Sequence, residues 1–141
     1  MLLVQTILTS WTWPVKILRS NDIREAERCL KQCFDTEPSK AKLKRYDLTI
    51  TENGFFRLRK YFRNGKEEYY SFNLQKIVEF DYFGTATNGT LSIKTNSEDI
   101  IVQSFHDPKG DIDSMSSVID IPLKNIEAEQ LNILYAGLVG R

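Results

Sequence analysis

Several things are scarce in this chain, and each scarcity narrows its reading. Two cysteines among 141 residues are too few for a disulfide framework. Cys29 and Cys33 stand four apart on what reads as one helix, where a bridge between them would be strained. The single histidine, His106, is distant from that pair, so a zinc site would lack ligands, and buried thiols are the expected role. Neither sign of charge prevails, with 19 Lys+Arg against 19 Asp+Glu, so no global field draws the chain toward nucleic acid or a membrane surface. No apolar run approaches the roughly 18–20 residues of a spanning helix. There is no glycine-rich phosphate loop, no nucleophile elbow and no convincing pair of acid and base carboxylates. His106-Asp107 has no accompanying nucleophile, and Asp107, Asp111 and Asp113 miss the calcium-loop spacing. The expectation is therefore no enzyme, no metal and no cofactor. The first basic residue is Lys16, and Gln5 and Thr6 break the leading apolar run, so a secretory signal is not matched and a cytoplasmic location is expected, an export signal further upstream aside.

What is present is an ordinary globular composition: 41% hydrophobic, 27% charged and 11% aromatic. The length suits one domain, 1–141, divided into an N-terminal strand and helix (1–37) and a strand-rich remainder (46–141). Residues 7–17 alternate with period two and carry Trp11 and Trp13, which predicts a strand that Pro14 confines to an edge or bend. Ser20-Asn21-Asp22 offers caps for a helix, with Glu25 completing a capping box. Ile23, Ala26, Cys29, Leu30, Cys33 and Phe34 share one face of that helix, while Arg24, Arg28, Lys31 and Asp35 lie opposite.

From residue 46 the pattern changes to short strands over about 46–51, 55–62, 66–73, 76–83, 90–95, 99–106 and 117–121. Turns are expected at Glu52-Asn53-Gly54, Asn64-Gly65, Asn88-Gly89 and Asn96-Ser97, and residues 107–116 read as the longest polar loop. The second hairpin is more informative. A two-residue turn would mix its faces, whereas a three-residue loop of Arg63, Asn64 and Gly65 aligns Phe56, Leu58 and Phe62 with Tyr70 and Phe72 and sets Lys60 opposite Glu68. In the fourth strand, Val78, Phe80 and Tyr82 should face inward and Glu79 and Asp81 outward. Pro122 should end the last strand, and Asn125 should cap a helix reaching about Val139, apolar almost all round.

Seven successive strands closed by a terminal helix make an α+β chain, a bent antiparallel sheet or partly open barrel. In element order it resembles the pleckstrin-homology-like fold, in which the helix plugs one end of a bent barrel. With the leading strand and helix joined to the sheet it is closer to a helix-grip fold. Neither resemblance carries function.

The strongest anomaly is charge segregation. Residues 40–66 hold nine basic side chains against Asp47 and Glu52 alone, whereas residues 67–141 hold twelve acidic and five basic ones. Arg57 and Arg59 alternate outward on one strand, and with Lys44 and Arg63 they form the candidate anion-binding set. Lys44 with Arg57-Leu58-Arg59 is similar to the spaced Lys and basic-x-Arg pattern of phosphoinositide-binding pleckstrin-homology domains, and the resemblance implies a phospho-head-group ligand. Trp11, Trp13, Leu134 and Leu138 form the candidate interface. The functional expectation is a binding or adaptor module that takes a protein or peptide partner or self-associates. A carrier of a small apolar ligand between sheet and helix, and anion binding by the basic face, are the alternatives. No nucleic-acid partner is expected.

Overall fold

The computed structural model describes residues 20–37 and 42–140. The expected strand over residues 7–17, with Trp11 and Trp13, lies outside them. The chain is helical over residues 20–33 (α1). Eight antiparallel strands follow: β1 (Leu43–Ile50), β2 (Phe55–Phe62), β3 (Glu67–Asn73), β4 (Ile77–Gly84), β5 (Asn88–Thr95), β6 (Ile100–Phe105), β7 (Asp113–Ser116) and β8 (Val118–Lys124), before the helix α2 (Ala128–Leu138). They form two sheets, ordered β1-β2-β3-β6-β7 and β4-β5-β8, and neither closes into a barrel. The α+β class and the closing helix are as the sequence predicts. The pairing is not a simple meander, because β6 lies beside β3 and β8 beside β5.

The chain changes sheets three times. A 3-10 turn, Leu74–Lys76, carries it from β3 to β4, with the Asn73 carboxamide oxygen accepting from Gln75 N. The β5–β6 and β7–β8 changes share one corner, where Thr95 N donates to Ser117 O. One core joins both sheets and both helices. Its fully buried side chains include Leu30, Ile50, Phe56, Phe72, Leu91, Ile93, Ile121 and Leu123, with Phe56 stacked on Phe72 at 4.9 Å. All six residues predicted for the apolar face of α1 are buried, including Phe34 just past its end.

The β2–β3 hairpin has the predicted register: Phe56 faces Phe72, Leu58 faces Tyr70, Lys60 faces Glu68, and Phe62 N bonds Lys66 O across a three-residue loop. Gly65 has φ +90°, the left-handed conformation that the bulged turn requires.

Six expectations need correction. Ser20 is already helical, so Asp22 and Glu25 lie within α1 rather than forming its cap. Asp35 is buried, its N–H donating to Pro122 O and its carboxylate accepting from Glu37 N. Asn88-Gly89 belongs to β5: Gly89 pairs with Gly84, and a Cβ on it would strike the Tyr82 ring and Phe83 O, so the turn falls on residues 85–87. Residues 113–116 of the supposed loop are β7, a polar strand paired only with β6. Pro122 lies inside β8, tolerated because β8 is an edge strand and the outward Pro122 O accepts from Asp35. The cap of α2 is likewise Glu127, in a reciprocal capping box with Gln130, while Asn125 adopts φ +52° in the preceding link.

The apolar second half of α2 is covered on two sides. Leu134 and Leu138 are fully buried, and Gly137 sits so close to α1 that a Cβ would overlap Ala26 Cβ and Asp22 O.

Candidate functional site

A sheet edge exposes unpaired backbone donors and acceptors, and folded chains usually protect it. Two of the edges here are guarded in part. On β1, the Glu27 carboxylate accepts from Ile50 N at 2.7 Å and Arg24 donates to Ile50 O, so α1 side chains substitute for a neighbouring strand. On β8, Phe34 bridges Leu123 and Asp35 N bonds Pro122 O. β7 has only four residues.

β4 is different. Thr85 N bonds Asn88 O, so by the antiparallel alternation the backbone groups of Asp81 and Phe83 point to β5, and those of Phe80 and Tyr82 point outward. Among the described residues nothing bonds these outward groups. β4 and α2 bound an open groove of about 610 Å³, lined by Ile77, Val78, Glu79, Phe80, Asp81, Tyr135 and Val139. Phe80 and Tyr135 meet edge to face at 5.5 Å. Val78, Tyr135 and Phe83 are 59%, 54% and 63% exposed, an apolar rim along an open edge. Val78 departs from its predicted inward side because a bulge between Ile77 and Glu79 turns it out, whereas Phe80 and Tyr82 pack against the core as expected. Of the interface candidates, Leu134 and Leu138 are core residues, so the part of α2 facing the groove is Tyr135 and Val139.

The basic candidates divide. Arg57 and Arg59 lie on the outer face of the five-stranded sheet, opposite Thr49 and Asp47 on β1 and Ser71 and Tyr69 on β3. Lys44 sits at the β1 bulge beside the Arg45–Tyr61 pair, and Arg63 lies in the β2–β3 turn with its N–H on Lys42 O, about six residues, or roughly 20 Å, along the strand from Arg57. None of the four forms an ion pair among the described residues. Arg59 lies near two rings, 5.4 Å from the Tyr69 centroid and 5.6 Å from that of Phe105, and its Nε is buried with no hydrogen-bond partner. Arg45 covers Tyr61 at 3.8 Å and pairs with Asp47.

A polar cluster lies on the same sheet; the hairpin register anticipates Lys60 opposite Glu68, and no motif announces the rest. Lys66 Nζ bridges Glu68 and Asp107 at 3.0 and 3.3 Å, and Tyr70 OH donates to Glu68 at 3.0 Å. Lys60 lies over the Phe34 and Tyr70 rings, and burial lowers its pKa against the raising effect of Glu68. Burial also raises the Tyr70 hydroxyl, with Glu68 adding to it. Lys66 is raised, first by its hydrogen bond to Glu68. Every member has a partner here, which is the pattern of a structural network.

The other candidates separate. Asp107 accepts from Lys109 N, Asp111 accepts from Asp107 N, and Asp113 accepts from Gln103, so the three carboxylates do not converge. Cys29 and Cys33 are buried free thiols directed at Gln130 O and Asn125 O. Burial, with help from Cys33, pushes Cys29 up to about 12. Among the described residues no three metal-ligating side chains gather, and no helix is long and apolar enough to cross a membrane. Comparison with protein-family models, with curated proteins and with solved structures finds no match.

Proposed function

We propose that this chain is a non-enzymatic binding module that takes an extended protein segment as an added strand on β4. The observation that carries the reading is the outward backbone of Phe80 and Tyr82 beside a groove whose far wall is Tyr135 and Val139. Strand addition derives affinity from main-chain hydrogen bonds, and alternate side chains of the added segment enter the flanking pocket. Here that pocket is apolar on the helix side, and Glu79 and Asp81 are exposed on the other face of β4. A segment alternating apolar and polar or basic residues suits both. The pleckstrin-homology-like likeness, resting on element order, and a reducing cytoplasmic setting, consistent with two free thiols, belong to the same proposal. A carrier role gains no support: among the described residues both sheets and both helices contribute buried side chains to one core, and the groove beside β4 is open to solvent.

The test is selection of linear peptides from a displayed library on the immobilised chain, followed by titration against variants. Val78→Lys and Tyr135→Ala alter exposed positions and should leave the fold intact. Each should weaken a selected peptide by about tenfold or more. Peptides that bind both variants as tightly as the parent chain, or a selection that yields no binder, would overturn the reading.

A further inference from the structure

We propose that the outer face of the five-stranded sheet is a second, independent binding site, and that its ligand is single-stranded nucleic acid. The inference does not rest on the β4 groove, which belongs to the other sheet.

Strand register sets three rows across this face. One runs Arg45, Tyr61, Glu67, Phe105; the next Asp47, Arg59, Tyr69, Gln103, Asp113; the third Thr49, Arg57, Ser71, Ile101, Met115. Three arginines and three aromatic rings are thus interleaved on one solvent-facing surface. Asp47 is engaged by Arg45 and Asp113 accepts from Gln103, while Glu67 pairs with neither Arg57 nor Arg59, which have no ion pair or side-chain hydrogen bond among the described residues. Lys44 and Arg63 extend the positive charge toward one end of the face. Within the three rows the arginines are matched in number by Asp47, Glu67 and Asp113, so the positive excess comes from Lys44 and Arg63 at one end.

Arg59 identifies the ligand's chemistry. Its side chain is half-buried, it forms no ion pair among the described residues, and its Nε has no acceptor there. An oxyanion arriving at this face would meet the guanidinium in a charge-assisted bond, and a guanidinium is suited to the fork geometry of phosphate oxygens. The surroundings supply the second half of the argument. Tyr69 and Phe105 flank the guanidinium, Tyr61 lies one row away, and Ile101 and Met115 expose apolar surface beyond. A ligand that alternates phosphates with flat, unstacked rings uses all of these groups, since bases stack on aromatic side chains and on guanidinium planes. A duplex hides its base faces, and an acidic peptide would use the arginines but not the rings.

The experiment is fluorescence anisotropy of the full chain with labelled oligothymidylate and oligouridylate, a duplex of the same length, and a polyglutamate peptide of matched charge, from about 50 to 200 mM salt. The single strands should bind best. Arg57→Gln/Arg59→Gln should weaken them by about tenfold or more and reduce the slope of log K against log salt by about 1.4, the share of two single-strand phosphate contacts. Arg59→Lys, which keeps the charge and loses the planar fork, should bind nearly as poorly as Arg59→Gln. Arg45→Gln should matter less, because Arg45 is already paired with Asp47. Absence of single-strand binding at about 50 mM salt overturns the proposal. So does equal affinity for duplex or polyglutamate, or binding unchanged in the Arg57/Arg59 variants. Circular dichroism checks the double variant, and if it is unfolded the single substitutions decide.

Discussion

Gly137→Ala tests how α2 is held over the groove. A Cβ at Gly137 would meet Ala26 Cβ and Asp22 O well inside contact distance. Ordinary carbon–carbon contact needs about 3.5–4.0 Å, so α1 and α2 would have to part by about 1 Å. On an exposed helix the same change stabilises by about 1 kcal/mol through helix propensity. Overpacking of a filled core costs about 1–3 kcal/mol. One of the two obstacles is backbone, which cannot turn aside, so the upper part of that range applies and the net should be a loss of about 1–2 kcal/mol. In a chain of this size that lowers Tm by roughly 2–6 °C. Urea and thermal unfolding followed by circular dichroism provide the measurement. Ala26→Gly in the same chain should recover only part of the loss, since Asp22 O remains in place. Because Tyr135 and Val139 lie two residues to either side, the displaced helix should also bind a selected peptide more weakly. A Gly137→Ala chain as stable as the parent, or more stable, would refute the close packing of the two helices.

Two further perturbations follow from the same physics. Glu27→Ala removes the acceptor of Ile50 N and should cost about 1–3 kcal/mol in urea unfolding, while Glu27→Gln, which keeps an acceptor oxygen, should cost less. The variant with an unguarded β1 edge should also self-associate at lower concentration in light scattering. At alkaline pH, Cys29 retains its proton in the fold up to about 12, against an ordinary 9.0. Its contribution is therefore intact below pH 9 and is lost as pH rises through that interval, with the raised Tyr70 adding to the loss at the upper end. Cys29→Ala should flatten stability against pH between 9 and 12; an unchanged slope would contradict the burial of that thiol.

The parts of the fold legible in sequence are those governed by local parity. The amphipathic stripe of α1 and the register of β2 with β3 both follow from which side chains need burial, and Gly65 resolves the loop length. What local pattern misreads is what a distant partner decides. β7 is a short edge strand with Met115 as its only apolar side chain, so no alternation marks it. Gly89 is a strand residue because Tyr82 crosses over it, not a turn residue. Val78 is turned out by a bulge that hydrophobicity does not encode. At the site, the charge segregation of residues 40–66 is visible in the sequence, and the pairing of Arg59 with Phe105 is not, since the two are 46 positions apart. The β4 groove is invisible there for the same reason. It exists because α2 returns beside an edge that no described strand covers, and the same packing places Leu134 and Leu138 inside rather than on an interface.

The open edge of β4 is the claim on which the proposed function depends, and residue-resolved hydrogen exchange reads it directly. In the free chain, Phe80 and Tyr82 amides should exchange fast, and their ladder-bonded neighbours Asp81 and Phe83 should exchange slowly. With a selected peptide bound, Phe80 and Tyr82 should become as slow as those neighbours. If Phe80 and Tyr82 are already protected in the free chain, or stay fast in the complex, β4 is not the edge that receives the added strand.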